Sequence, residues 1–486
     1  MLDSALLDDL RTVADAVEVD PVATATHAHD WWPRLLMRRR AGEELPVPDA
    51  VVTPADRDEL ARVVAWCDAN RVAIVPFGAG TGVCGGAAPV EGAVTVDLKR
   101  LNRILGVDEE SGTVTVEPGV IAQALEDHLA HRGLTLGHFP SSVHCSTVGG
   151  FLAIRSAGQA SSFYGKLEDT VVGLTVLLAD GRELVSRPVP QTAAGPDLRQ
   201  LFLGGEGTTG IITEATLRVW PAPEVAIDRG WLVPDVATGL RALRDVMWTG
   251  LRPTVLRLYD ETDTALVFGG QGLEVPQGCL LITGCEGRED VARFTHEVVA
   301  RTMLGHGATD LGAEPGGNWR AHRHSMSYRF AEYMKPGGVF GDALMLDTME
   351  VAGVWSVLVP MYEQVKAAIA EHVDLVFAHF SHVYPEGGSI YFTLGGINDG
   401  DEARALARYD AAWDAGQRAA IAAGGTISHH HGIGLLRAPY LREELGEVGF
   451  DVLERVKAAL DPNGILNPGK LGLGATRPAD MRQVAP

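Results

Sequence analysis

The chain has 486 residues, 63 acidic against 41 basic, a formal charge of −22, 57 glycines and 46% hydrophobic residues. That length exceeds what one hydrophobic core usually serves, so two or more lobes are expected, and the acidic balance excludes nucleic acid as a natural partner, since basic runs such as RRR at 38–40 are too short to reverse it. Five scattered cysteines without CxxC spacing (Cys67, Cys84, Cys145, Cys279 and Cys285) argue against a disulfide framework or thiolate zinc site, and with no apolar run near the roughly 18 residues of a membrane span and no signal-peptide pattern in MLDSALLDDLRTVADAVEVD, a cytoplasmic location is expected.

Residues 1 to about 45 read as an amphipathic helix, a polar stretch with HDWW and a second short helix. From there the pattern alternates. A helix DRDELARVVAWCDANR, opened by the cap-like TPAD, leads to a strand VAIVPF, a glycine loop, and strands GAVTVDL and GTVTVEPG. The loop PFGAGTGVCGG, residues 76–86, exposes backbone N–H groups without side-chain obstruction, which is what a pyrophosphate needs, although one glycine cluster alone equally marks a tight turn. The segment GHFPSSVHCSTVGGFLAIRSAGQASSFYGKLEDTVVGLTVLLADGREL, residues 137–184, combines a Pro-Ser-Ser turn, Ser-Thr-Val-Gly-Gly and Arg-Ser-Ala-Gly segments, and a strand pair turned at Asp180-Gly181. Gly205, Gly207 and Gly210 in GGEGTTGIIT satisfy GxGxxG, but a dinucleotide fingerprint must open a helix, and IITEATLRVW alternates like a strand. A Rossmann fold and a nicotinamide cofactor are therefore rejected. Near the end, GGTISHHHGIGLLR (425–438) holds three consecutive histidines; neighbours in an extended segment project to opposite sides, so at most two are expected to share a pocket.

Taken in order, the glycine, Pro-Ser-Ser, Arg-Ser-Ala-Gly and GGEGTTG segments resemble the FAD-binding domain of the vanillyl-alcohol oxidase (PCMH-type) flavoproteins. Within that group, NRILGVDEESGTVTVEPGV, STVGGFLAIRSAG, YGKLEDTVVG, GPDLRQLFLGGEGTTGIITEATLRVWPAPE, IYF, GGTISHHHGIGLLR and LDPNGILNPGKL look like their counterparts in the alkyldihydroxyacetonephosphate synthases, in register from about residue 25 to 473. The resemblance implies an α+β chain: a PCMH-type FAD-binding domain of two α+β subdomains plus an α+β cap with an antiparallel sheet. The expected divisions are an N-terminal helical segment (1–44), the FAD domain (45–223), the cap (224–424) and a C-terminal segment (425–486) carrying the histidine loop back to the FAD domain. The family's cofactor contacts carry over onto Pro76, Phe77, Gly78, Ala79, Gly80, Thr81 and Gly82; onto Pro140, Ser141, Ser142, Val143, His144, Cys145 and Ser146; onto Ile154, Arg155, Ser156 and Ala157; and onto Glu206, Gly207, Thr208, Thr209, Gly210, Ile211 and Ile212. No residue matches a flavin-linking histidine in the glycine loop, so non-covalent FAD is expected.

Metal-dependent D-2-hydroxy-acid dehydrogenases of the same superfamily carry regions resembling H-x-G-D-G-N-L-H and E-H-G-x-G, whose His, His and Glu bind a dication. Here Tyr391 stands where the second histidine would lie and His430 where the glutamate would lie. A phenol is a poor ligand and the charge matching a dication is lost, so no metal is expected. Tyr391 with His429, His430 and His431 matches the synthases instead, in which a tyrosine near the flavin accepts a proton and the histidine loop assists. A phenol works as a base only if neighbouring cationic or hydrogen-bonding groups stabilise its anion, and adjacent imidazoles are the expected source. A core tyrosine beside a polar turn is the plainer alternative, and His382 stays open between a remnant ligand and a pocket wall.

The synthase substrate carries a phosphate and needs a local cation. Arg257 in VLRLYD resembles a required family arginine, with a structural ion pair as the equal alternative; the substrate-binding arginine belongs in or near WRAHRHSMSYRFAEYMKPGG, where the family pattern departs and leaves Arg329 and Lys335 as candidates. Two activities follow: exchange of the acyl chain of acyl-dihydroxyacetone phosphate for a fatty alcohol, or FAD-dependent oxidation of a D-2-hydroxy acid or alcohol. The family implies a homodimer, and a lipid or small-molecule substrate leaves room for peripheral membrane contact.

Overall fold

The computed structural model describes residues 2–270, 274–324, 328, 332–335, 337 and 342–474. Strands β1 (Val17–Glu18), β2 (Ala50–Val52), β3 (Ile74–Phe77) and β4 (Val94–Asp97) form a sheet of order β1-β2-β4-β3, in which β2 and β3 both run parallel to β4. The helix between β2 and β3, Arg57–Asn70, starts where TPAD marks it: the Asp56 carboxylate accepts from the Glu59 N–H, leaving one fewer orphan donor in the first turn. Its Leu60, Val63, Val64 and Cys67 share a core with Val52, Ile74, Val94 and Val96 of the sheet.

Strands β5 (Ile104–Asp108), β6 (Thr113–Val116), β8 (Val171–Leu177), β9 (Glu183–Ser186) and β10 (Ile211–Arg218) make a second, antiparallel sheet of order β5-β6-β10-β8-β9, while β7 (Leu134–Thr135) pairs with β11 (Trp220–Pro221). Gly181 takes φ +81° in the β8–β9 turn, a region that favours glycine. Strand β10 begins directly after the GxGxxG glycines, so that motif opens no helix.

The larger sheet consists of β12 (Val225–Val233), β13 (Val255–Tyr259), β14 (Cys279–Gly287), β15 (Thr309–Gly312), β16 (Met345–Val354), β17 (Leu375–Ser381) and β18 (Gly387–Gly396). Its order is β15-β12-β14-β13-β17-β18-β16, antiparallel at every pairing. Helices Val236–Trp248, Glu289–Gly305, Trp355–Ala370 and Glu402–Ala422 supply Leu243, Val299, Val365 and Tyr409 to its core. The N-terminal segment docks on this side: Trp32 Nε1 donates to the Tyr409 hydroxyl at 3.0 Å and Arg34 pairs with Asp410 at 2.7 Å. The last helix, Ala438–Leu460, stops before Pro462, and the chain returns to the first sheet, where the Ile74 N–H donates to Ile465 O (2.7 Å) and the Asn467 N–H to Ile74 O (2.8 Å). Among the described residues no helix is long and apolar enough to cross a membrane.

Candidate active site

The four segments expected to hold the dinucleotide converge. Thr81 Oγ1 lies 2.6 Å from Ser146 Oγ, which donates to Ser142 Oγ at 2.8 Å, joining the glycine loop to the Pro-Ser-Ser segment. The N–H groups of Gly204 and Glu206 donate to Leu152 O and Ala153 O, joining the GGEGTTG segment to the helix Val148–Ile154. Glu206, in the left-handed region at φ +49°, turns its carboxylate onto the N–H groups of Ile433 and Gly434, just past the histidines. Burial raises its carboxyl above the usual range, against those hydrogen bonds.

Among the described residues, the half-buried Ala79, Gly80, Thr81 and Gly82 donate no backbone N–H to a protein acceptor. A row of amides left without partners fits a pyrophosphate, so the residues present suit the expected cofactor. Other carried-over side chains are engaged within the protein: Val143 and Ile212 lie in one core, Ile211 in another, and the Thr208 and Thr209 hydroxyls bond Gly205 O and Leu201 O. His144 is exposed, with its N–H on the Tyr328 hydroxyl, and Arg155 caps its helix at φ +55° and bonds Gln200. A Cβ on Gly78 would lie 2.4 Å from Thr147 Oγ1, beneath the loop. Gly78→Ala should therefore yield folded protein with less than half the flavin of the wild type, read from absorbance of the purified enzyme; full flavin content would show that this close approach does not shape the loop.

The candidate catalytic side is built by register. Tyr259, His379, Tyr391 and Glu350 face one another on β13, β17, β18 and β16, forming one row across four strands. The Tyr391 hydroxyl donates to Thr348 Oγ1 at 2.9 Å, and its ring stacks on His379 with centroids 4.8 Å apart at 18°. His430 (6.1 Å) and His431 (5.5 Å, edge-on) flank it from the loop. His429 and His430 turn toward His382, at 5.2 and 4.8 Å. Each of Tyr391 and His382 thus meets two of the three loop histidines.

Glu350 holds that loop. Its carboxylate, without solvent exposure, accepts from the N–H groups of His429 and His431 and from the Ser428 hydroxyl, and pairs at 3.2 Å with Arg437, equally buried. Arg437 also donates to Gly432 O at 2.7 Å. Burial alone would raise the Glu350 carboxyl, but Arg437, His431 and the two amides bring it below the ordinary value.

Electrostatics sets the charge of the histidines. Burial holds His429 and His430 well below the usual imidazole value, His382 at about 3 and His431 at about 4, so all four rings are neutral at pH 7. Of the two kinds of support foreseen for the phenolate, cationic or hydrogen-bonding, neutral rings can offer only the second. Burial pushes the Tyr391 phenol up to about 12. His382 sits in the left-handed region at φ +53°, a strained conformation for a non-glycine, with Nδ1 2.8 Å from Ser161 Oγ. Ligand atoms of His382, His429 and His430 lie within 4.8 Å of one another, with no carboxylate in the group among the described residues.

Arg257 is half engaged: Nε donates to the Tyr259 hydroxyl and Nη2 to His379 Nε2, each at 2.8 Å. Lys335 is exposed, and Arg329 lies outside the described residues. Sequence reasoning missed Thr348, Glu350, His379 and Arg437. The available signal was the pair of acids, Asp347 and Glu350, in the otherwise apolar MLDTMEVAGV, each of which asks for a buried partner.

Residues 223–471 match the family of FAD linked oxidases, C-terminal domain, and residues 48–186 the FAD binding domain family. The chain is 29% identical over 497 residues to alkyldihydroxyacetonephosphate synthase of Trypanosoma brucei brucei, covering 96% of this chain and 80% of that protein. It is 33% identical over 436 residues to glycolate oxidase subunit GlcD of Bacillus subtilis (strain 168), covering 87% and 89%. A solved structure of an alkyldihydroxyacetonephosphate synthase superposes with a TM-score of 0.79 at 26% identity, covering 96% of this chain and 85% of the other. The α+β architecture is that of the PCMH-type flavoproteins, and the cofactor its loops serve is FAD. The chain belongs to the FAD-linked oxidase family, as an FAD-dependent enzyme of the vanillyl-alcohol oxidase/PCMH type that acts as an alkyl transferase or an oxidoreductase.

Proposed function

We propose that the enzyme exchanges the acyl chain of an acyl-dihydroxyacetone phosphate for a fatty alcohol, an ether-lipid-forming reaction. The observation that carries this reading is a phenol flanked by neutral imidazoles, with the nearby carboxylate of Glu350 fully engaged by the loop it holds. Bound FAD would supply the electron-accepting ring system for the substrate carbon. Tyr391 carries the proton lost from that carbon, Thr348 fixes the direction of its hydroxyl, and the His430 and His431 rings flank it without placing a charge in the pocket. Arg257, Arg329 and Lys335 are the cations assigned to the substrate phosphate and its surroundings.

In this reading FAD is held non-covalently by residues 45–223, the cap spans 224–424, and residues 425–486 return the histidine loop to the cofactor. The enzyme is a cytoplasmic homodimer that meets its lipid at a membrane surface. Purified FAD-loaded protein should convert acyl-dihydroxyacetone phosphate and labelled fatty alcohol to alkyl product without oxygen; an intact holoenzyme giving no alkyl product would remove this function.

The second reading, oxidation of a D-2-hydroxy acid, is favoured by the likeness to a glycolate oxidase subunit and by the His382–His429–His430 group. A substrate panel that bleaches the flavin without alcohol present would select it. We assign no metal to the proposed exchange, because its proton carrier is a phenol and none of its steps calls for a Lewis acid. Chelator treatment should leave exchange within about twofold of the untreated rate, since no step draws on a metal; one bound zinc or manganese per chain, with activity lost on chelation, would move the enzyme to the hydroxy-acid class.

A further inference from the structure

Behind Tyr391 lies a layer of which the proposed exchange uses only Arg257. Arg257, two residues before Tyr259 on β13, shares its face of the sheet. A guanidinium can only donate, so its 2.8 Å contact makes His379 Nε2 the acceptor and fixes this ring as the Nδ1–H tautomer. His379 Nδ1 then faces Asp263 Oδ2 at 3.4 Å. The Arg257 contact orients the ring, Asp263 stands beside its other nitrogen as an ion-pair neighbour, and one ring face lies on the Tyr391 phenol.

We infer that His379 is a positioning residue for the reaction: Arg257 orients its ring beside Asp263, and the ring holds the Tyr391 phenol in fixed relation to the Arg257 cation, which stabilises the phenolate formed during turnover. The inference rests on Tyr391 as proton carrier. It gives Arg257 a task other than gripping phosphate, and it supplies the positive charge that the neutral histidine triplet does not.

The charged and titratable groups facing the pair single out Arg257. From β13 and its end come Arg257, Tyr259 and Asp260; from the helix Glu261–Gly270, Asp263; from the helix Trp355–Ala370, Tyr362 and Lys366. From β16 come Asp347 and Glu350, and around the loop His382, His430 and His431. Lys366 is bound to Asp260 at 2.7 Å, Asp347 to Tyr409 and Trp413, and Glu350 to Arg437. Among the described residues Arg257 makes no ion pair within 4.0 Å, and its field reaches Asp263 and His382 as well as its two ring partners and the Tyr391 phenol.

The test uses FAD-loaded enzyme with a fluorotyrosine at position 391, whose lower intrinsic pKa brings its titration into an accessible range, followed by fluorine NMR alongside exchange kinetics. His379→Phe keeps a stacking ring and removes the acceptor. The fluorophenol should then titrate at higher pH, and kcat should fall by about 100-fold with KM for the acyl substrate changed less than about twofold. His379→Gln, which returns an acceptor to Arg257, should recover most of the titration shift, and Arg257→Met should shift it in the same direction as His379→Phe. An unchanged fluorophenol titration in His379→Phe overturns the relay; if that variant does not fold, an unchanged titration in Arg257→Met does so. The NMR readout needs no substrate, so a wild type without alkyl product would remove the proposed exchange while the relay is judged on the titration alone.

Discussion

Tyr391→Phe should lower turnover by about 10²–10⁴-fold, the range supplied by a positioned proton-transfer group, while the purified variant keeps its flavin. The substitution deletes one oxygen. The ring still stacks on His379 and still meets His430 and His431, and none of the four cofactor segments touches the hydroxyl lost. On stability the change removes a hydrogen bond to Thr348, worth about 1 kcal/mol, too little to unfold the chain. The loss should therefore appear in kcat with KM near the wild-type value, as for a group acting in the transition state. A variant retaining more than about a tenth of wild-type kcat would move the proton to the histidine triplet and reduce Tyr391 to a wall of the pocket.

Arg437→Met should cost about 3–5 kcal/mol of stability, the usual effect of removing one partner of a buried ion pair. Both side chains are fully buried, and the carboxylate left behind keeps two amides, a hydroxyl and the rings of His430 and His431 at 3.9 and 3.7 Å, but no permanent cation. Denaturant unfolding of the FAD-loaded protein measures it, with Glu350→Gln and the double variant closing a cycle that separates the pair from its separate desolvation costs. A loss below about 1 kcal/mol would mean that the pair balances its own desolvation and that the loop is held by the amides alone. The pH dependence has a definite sign. Glu350 titrates lower in the folded chain than in the unfolded one, so the unfolded chain binds the proton first as pH falls. Its contribution is complete above the ordinary glutamate value of about 4.3 and disappears as pH drops through the depressed folded value. The acid limb of the wild-type stability curve should thus be shallower in Glu350→Gln.

The sequence made the local features legible and the register-dependent ones illegible. Asp56 could be read as a cap because capping is decided within four residues, and β10 as a strand because its alternation follows the glycines directly. The cofactor segments were visible through their order and resemblance, and the structure joins them by bonds such as that between Thr81 and Ser146. The row through Tyr391 is another matter. Arg257 and His379 stand 122 residues apart, and only the pairing of β13 with β17 sets them side by side. Glu350 is equally obscure: both faces of β16 are covered, so alternation in MLDTMEVAGV does not say which polar residue is buried or what lies over it. The charge state of the histidines is decided by burial, which residue type does not encode.

The carboxylate of Glu206 belongs to a cofactor segment yet grips the amides that follow the histidines. Cofactor affinity and catalytic geometry therefore draw on one free energy. A dinucleotide that orders the GGEGTTG segment also tightens the histidine turn, and a slackened turn weakens retention of the dinucleotide by the same factor, since such coupling is reciprocal. On the roles proposed for these residues, losing the flavin would loosen the histidine turn along with its cradle, and reloading it would tighten both together.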